Sequence, residues 1–227
     1  MNVEKEIAIS ILRLTREGSV LQETINKEAK APSQTGEKLL RKLQNDGLVY
    51  LNKNFVGADS VQRLKLAVYA LKLGGDLERV TSFLRWQEFE SMAAIAFERN
   101  GYHVWKNLRF RHAGRKWEID IVALRRPLII CADCKHWQHG LHPSTQRKVI
   151  EEQIERTFAL AEFLPALAGK IGCGSWVNAR LIPTVLTLVV GQAKFYDNVP
   201  MVPILQLQDF LEKLPAYADT LKSFRRV

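Results

Sequence analysis

Asp120, Asp133 and Lys135 are charged residues set into runs that otherwise read as buried β-strand. Asp120 stands between Ile119 and Ile121 in "KWEIDIVAL", and Asp133 follows "LIICA" in "PLIICADCKHW". A charge among such residues is costly to bury unless it is paired or binds a metal. Side chains alternate between faces along a strand. Glu118, Asp120 and Val122 would then share one face, with Ile119 and Ile121 on the other, while Ile129, Cys131, Asp133 and Lys135 share a face of the next strand. Adjacent strands would bring Asp120 beside Asp133 and Lys135. Two neighbouring carboxylates cannot both ionise cheaply. A hard divalent cation resolves that cost, and Mg²⁺ typically takes one or two carboxylates plus waters and phosphate oxygens. The lysine adds positive charge where an attacking water or a developing phosphorane would sit. Such an arrangement suits phosphodiester hydrolysis, with Mg²⁺ as the expected cofactor, Mn²⁺ as its substitute and no small-molecule cofactor; the alternative is a surface salt-bridge cluster on a structural sheet.

The elements around these residues must place them. "YHVWKNLRF", "KWEIDIVAL" and "PLIICADCKHW" predict three successive strands, with "RHAGR" and "RRP" as turns, hence an antiparallel meander. Before them, "RWQEFESMAAIAFERNGYHV" predicts a helix ending near Asn100-Gly101. At about 100° per residue, Trp86, Phe89, Ala93, Ala96 and Phe97 fall on one face. Glu90 shares it, and Glu88 and Glu98 point away. An acid in an apolar stripe needs a partner, an arginine such as Arg109 or Arg111, unless it lies at the stripe's edge. After the strands, "STQRKVIEEQIERTFALAEFL" predicts a helix with Val149, Ile150, Thr157, Leu160 and Leu164 in its stripe, joined by Gln146 and Gln153. "ARLIPTVLTLVV" and "VPILQL" predict two further strands, and "QDFLEKL" a closing helix. The expected fold class is α/β (α+β), with α/β/α layers about a mixed sheet.

Asp120 followed by "DCK" at Asp133-Cys134-Lys135 resembles the signature of the PD-(D/E)xK, or restriction-endonuclease-like, nuclease superfamily. The preceding helix with Glu90, the "WEID" strand and the following helix look most like its Mrr-type and archaeal Holliday-junction-resolvase branches. The resemblance covers roughly Trp86 to Leu214. It implies Asp120 and Asp133 as metal ligands, with the main-chain carbonyl of Cys134 as a third. It implies Lys135 as the residue that orients or activates water, Glu90 as completing the metal or water shell, and Gln153 as the glutamine a later helix presents to the active site. Ile119 stands where the motif's name has proline, and Asp133 where glutamate is commoner.

The first 57 residues have a different character. Three short helices, the third in "PSQTGEKLLRKLQNDGLVYL" capped by Ser33 and ended by Gly47, precede two short strands around Asn52-Lys53-Asn54. That order resembles a winged helix-turn-helix, which implies a third helix lying in the major groove and a hairpin brushing the backbone. Leu39, Leu40 and Leu43 would face the core, and Gln34, Lys38, Arg41 and Lys42 the DNA, with Lys53 on the wing. The alternatives are a protein-binding winged helix or merely solvated residues. Residues 58–85 read as a helical connector broken at Gly74-Gly75, and residues 86–227 as the nuclease-like domain.

Charge supports a polyanionic partner. Thirty-three Lys and Arg against 24 Asp and Glu give +9. Residues 1–57 carry nine basic and seven acidic side chains, which leaves +7 for the rest. Lys106, Arg109, Arg111, Arg115, Lys116, Arg125 and Arg126 lie in or beside the strands and are expected to form the DNA-facing surface on the catalytic side. The longest apolar runs are too short for a bilayer, so no membrane role is expected. With "MNVEKEIAIS" at its start and three cysteines, the chain reads as a protein of a reducing cytoplasm. Cys131-x₂-Cys134 with His136, His139 and His142 has the residue types of a zinc site. Cysteines three apart in one strand point to opposite faces, which argues against it.

The expected function is metal-dependent DNA endonuclease, with a homodimer as the simplest way to cut both strands. The alternatives are a non-catalytic DNA-binding protein or regulator on a nuclease-like scaffold, and an RNA-processing nuclease.

Overall fold

The structure is a computed structural model and describes residues 2–135, 143–187 and 195–225. The chain divides into two compact units, Met1–Phe89 and Glu90–Val227.

In the first unit, α1 (Val3–Leu14), β1 (Val20–Leu21), α2 (Gln22–Glu28) and α3 (Ser33–Asn45) lead to the hairpin β2 (Tyr50–Asn52) and β3 (Phe55–Gly57). The strands form a small antiparallel sheet in the order β1-β3-β2. The unit continues through α4 (Ser60–Lys72) and α5 (Leu77–Ser82). Every residue of α1 from Ile7 to Leu12 is buried, because α2, α3 and α4 all pack on it. Leu40 and Leu43 are buried as the sequence predicts, whereas Leu39 is only partly covered. Ser33 does not cap α3. Pro32 occupies that position, and its carbonyl accepts the Gly36 N–H at 2.8 Å.

Glu88 corrects an expectation. Instead of pointing away it is buried, 2.8 Å from the equally buried Arg63. Arg63 also donates to the carbonyls of Leu12 and Phe83 and to the Thr15 hydroxyl. The other Glu88 oxygen accepts the Arg85 N–H at 2.7 Å, closing the start of a helix. Glu88 therefore satisfies the rule that buried charge is paired. Trp86, expected in the buried stripe, is exposed. Replacing Glu88 with Ala leaves Arg63 buried and uncompensated, and should destabilise the protein by about 3–5 kcal/mol in urea titration. A loss under about 1 kcal/mol would mean water reaches Arg63 freely.

The unit boundary falls within α6 (Trp86–Arg99). The second unit then runs β4 (His103–His112), β5 (Arg115–Arg125), β6 (Leu128–Lys135), α7 (Pro143–Ile171), β7 (Arg180–Thr187), β8 (Phe195–Tyr196), β9 (Val199–Pro203), α8 (Leu207–Tyr217) and β10 (Phe224–Arg225). The sheet is mixed, in the order β4-β5-β6-β7-β9-β8, with β10 also on β7. β4, β5 and β6 form the predicted antiparallel meander. β7 is parallel to both β6 and β9. The unit is thus α+β with a mixed sheet. The last strand is not where "VPILQL" places it: β9 spans Val199–Pro203, Ile204–Gln206 form a 3₁₀ turn and Leu207 already begins α8, so only Val202 and Pro203 of that segment are strand.

α7 positions the site. It recurs on the sheet through Ile150, Gln153, Thr157, Leu160, Leu164, Leu167 and Ile171, all buried, at the three- and four-residue steps of one helical face. Leu160 and Leu164 join Val122, Leu124, Ile129 and Cys131 in one core. Ile119 belongs to that same core, which strict alternation would not allow for both Ile119 and Val122. The β4–β5 pairing offers the reason. It runs from His103↔Leu124 to Lys106↔Ile121 and resumes at Leu108↔Ile119, skipping Asn107, whose φ of 52° is left-handed. The ladder is interrupted at the position facing Asp120.

Candidate active site

Asp120 and Asp133 meet across β5 and β6 where the pairing ends at Ile121↔Ala132. One Asp120 oxygen accepts the Cys134 N–H at 2.7 Å, so the carboxylate is pinned to the next strand's main chain. Burial pushes the Asp120 carboxyl up to about 6, and the Asp133 charge adds to the rise. The Cys134 hydrogen bond and the charges of Lys135 and Arg156 oppose it.

Asp133 is buried, and two cations hold it. Arg156, from α7, donates to Oδ1 at 2.7 Å. Lys135 shares the Asp133 face of β6 and donates to Oδ1 at 3.1 Å. The Lys135 ammonium also lies 2.9 Å from Oδ2, close enough for an ion pair but without hydrogen-bond alignment. Among the described residues, Oδ2 is therefore a buried carboxylate oxygen with no hydrogen bond. Glu90 is buried on α6, and its charge is felt at the Cys134 thiol together with those of Asp120 and Asp133. The structure thus gathers Glu90, Asp120, Asp133, Cys134 and Lys135 into one electrostatic neighbourhood.

Gln153 comes from α7 to the same strand. Its amide nitrogen donates to the Cys131 carbonyl at 2.7 Å, two residues before Asp133, while its buried Oε1 has no hydrogen-bond partner among the described residues. The contact fixes α7 against β6. Gln146 instead reaches the Met201 sulfur. Arg156 is the member that sequence reading passed over. It lies three residues after Gln153 and four before Leu160, on the buried face of α7, where a basic residue is as anomalous as Glu90 is on α6.

The donor set suits a hard divalent cation. It offers oxygen atoms only, including one buried oxygen without a hydrogen bond and a carboxyl whose raised pKa a nearby cation would lower. Among the described residues no three His, Cys, Asp or Glu side chains form a metal cage. Two carboxylates match an ion that retains waters and takes phosphate oxygens. Cys131 and Cys134 sit in one strand and are buried, with burial pushing the Cys131 thiol up to about 12 and the Cys134 thiol up as well. His136, His139 and His142 lie outside the described residues.

The expected DNA-binding residues fall on two surfaces. Lys38 is exposed on α3, and Lys53 stands at the hairpin tip with φ 52°. Arg41 pairs with Glu37 at 2.7 Å. Lys42 is engaged within the unit, 2.7 Å from Glu4 and 3.3 Å from the Tyr69 hydroxyl. In the second unit, Arg109 forks onto Glu118. Arg115 lies 4.1 Å over the Trp117 ring and 3.5 Å from Glu155, and Arg111 and Lys116 face each other, exposed. These four lie in the β4–β5 hairpin beyond Asp120, towards the Lys135 end of the sheet. Arg125 faces Leu128 at the opposite end of β6, so Arg125 and Arg126 are not on the catalytic side. No described helix is long and apolar enough to cross a membrane.

An uncharacterized protein of Archaeoglobus fulgidus is 28% identical over 134 residues, 59% of this chain and 95% of that protein. Among solved structures, protein VC1899 from Vibrio cholerae aligns at 11% identity and TM-score 0.38 over 94% of this chain and 51% of that one. The restriction endonuclease FokI aligns at 14% identity and TM-score 0.38 over 93% and 44%. The chain spans about half the length of these two proteins or less, and at such scores neither likeness bears on the site. Residues 85–171 match the family described as NERD, nuclease-related domain. The stretch that is similar to a nuclease-related domain is thus the one that carries Glu90, Asp120, Asp133, Lys135, Gln153 and Arg156.

Proposed function

We propose that this chain is a metal-dependent endodeoxyribonuclease of the PD-(D/E)xK type, most akin to the Mrr and Holliday-junction-resolvase branches. The observation that carries the reading is the Asp120–Asp133–Lys135 array inside the nuclease-related match. Asp120, Asp133 and the Cys134 main chain would hold Mg²⁺, with Glu90 completing its shell. Bound there, the ion would supply Lewis acidity and a deprotonated water for attack on phosphorus. The chain's own groups do the rest. Cys134 N–H keeps Asp120 turned towards Asp133. Arg156 fixes Asp133, and Gln153 fixes the strand beneath it. Lys135 holds positive charge beside the scissile phosphate and orients the attacking water. Arg109, Arg111, Arg115 and Lys116 would contact the backbone phosphates, which gives affinity without sequence information. The first unit, with three helices before a hairpin, is read as a winged helix in which Lys38, Arg41, Lys42 and Lys53 would give a second grip on DNA, and two copies pairing in the cytoplasm would cut both strands.

Labelled single-stranded, duplex and four-way-junction DNA incubated with the wild type should be cut with Mg²⁺ or Mn²⁺ and remain intact in EDTA. Cutting that persists in EDTA would exclude the metal-dependent mechanism. Tight binding without cutting in either metal would favour a DNA-binding scaffold.

A further inference from the structure

At the end of the sheet away from Lys135, the second unit has a cavity of about 540 Å³. Arg125, Arg126, Arg180 and Arg225 line it, with Tyr102 and Asp219. β6 separates this cavity from the catalytic end. Its rise from Leu128 to Lys135, at about 3.3 Å per residue, places the two sites on the order of 20 Å apart.

The fold forces these arginines together. Arg125 and Arg126 belong to the turn between β5 and β6. The Arg180 N–H donates to the Pro127 carbonyl at 2.9 Å, which anchors the start of β7 on that turn. Arg225 then lies directly across from Arg180 in the β10–β7 ladder. Like charges directly opposite on paired strands are destabilising. Guanidinium groups cannot relieve the strain by losing protons. Asp219 is the one acid among the described lining residues, and it pairs with Arg180 from an exposed position. Arg125 leans over the Tyr102 ring at 5.6 Å and reaches the Asn100 carbonyl. Arg126 and Arg225 have no ion-pair partner among the described residues.

Four permanent cations against one carboxylate, in a cavity of small-molecule size, call for an anion. Arginine forks match the paired oxygens of phosphate, and Tyr102 adds an aromatic wall. We propose that this cavity binds a phosphate-bearing ligand of nucleotide size, at a site separate from the catalytic carboxylates. A free mononucleotide and the phosphorylated end of a nucleic-acid strand share that chemistry.

Calorimetry on the full chain in EDTA tests it, with AMP, adenosine, and hexathymidylate bearing either a 5′-phosphate or a 5′-hydroxyl. AMP should bind saturably and adenosine should not. The exposed pair R126A/R225A should weaken AMP by about tenfold or more, as loss of charge-assisted hydrogen bonds requires. R126K/R225K keeps the charge without the forks and should fall between. A variant-sensitive preference for the 5′-phosphorylated hexamer over both AMP and its 5′-hydroxyl counterpart would identify the strand end as the source. Absence of saturable binding by AMP and the phosphorylated hexamer, or equal affinity in R126A/R225A, would overturn the proposal.

Discussion

Lys135→Ala should bind DNA as the wild type does and cut it about 10²–10³-fold more slowly, the scale expected when one stabiliser of transition-state charge is removed. The binding half follows from position. Lys135 is one cation at the end of β6, whereas Arg109, Arg111, Arg115 and Lys116 occupy the neighbouring hairpin and would retain the proposed phosphate contacts. The folding half follows from Arg156. Asp133 keeps the Arg156 hydrogen bond at 2.7 Å when the lysine is gone, so no buried carboxylate is left without a cation. Lys135→Arg would restore charge but not the compact ammonium, and should recover little activity. Single-turnover cleavage and a filter-binding titration on the same substrate separate the two halves. Undiminished cleavage by Lys135→Ala would remove the lysine from the mechanism. A parallel loss of binding would make it an ordinary phosphate contact.

What the sequence made legible depended on whether the physical signal was local. The meander was readable because β-formers between "RHAGR" and "RRP" leave little choice of boundary, and the two acids stand out against them. Arg63 and Glu88 are 25 residues apart, and no helical pattern around Glu88 reveals a buried partner on another helix. Trp86 suffered the converse error, since a helical wheel assigns a face but not the point at which neighbours stop covering it. Arg156 was legible in principle. The argument that isolated Glu90, a charge on an apolar stripe, applies unchanged to Arg156 between Gln153 and Leu160. The break in alternation at Asp120 was not legible, because it coincides with a left-handed residue, Asn107, on the adjacent strand and has no mark in the sequence of β5 itself. The arginine cavity was hidden for a similar reason. It joins a turn at residues 125–127 to strands beginning at 180 and 224, and only the register puts Arg225 across from Arg180.

Asp120→Asn should abolish cleavage and yet make the metal-free protein more stable at neutral pH. Burial raises the Asp120 carboxyl to about 6 in the folded state, against roughly 3.9 in an unfolded chain. The folded protein therefore binds the proton more tightly. The associated stability is fully present below about pH 4 and is lost as pH rises through about 6. Above that the ionised carboxylate is a standing cost. A two-unit shift corresponds to at most about 3 kcal/mol, and partial solvent access reduces this to about 1–2 kcal/mol. Asparagine removes the charge but retains an oxygen to accept the Cys134 N–H, so the strand contact survives. Urea titrations in EDTA should show the two proteins nearly equal at pH 4, the variant pulling ahead between pH 4 and 6, and a constant gap above. Excess Mg²⁺ should then stabilise the wild type by mass action and leave the variant unmoved. A variant less stable than the wild type at pH 7.5 would mean that Asp120 serves the fold rather than a ligand. Destabilisation held in place at one carboxylate is what a site kept for chemistry exhibits.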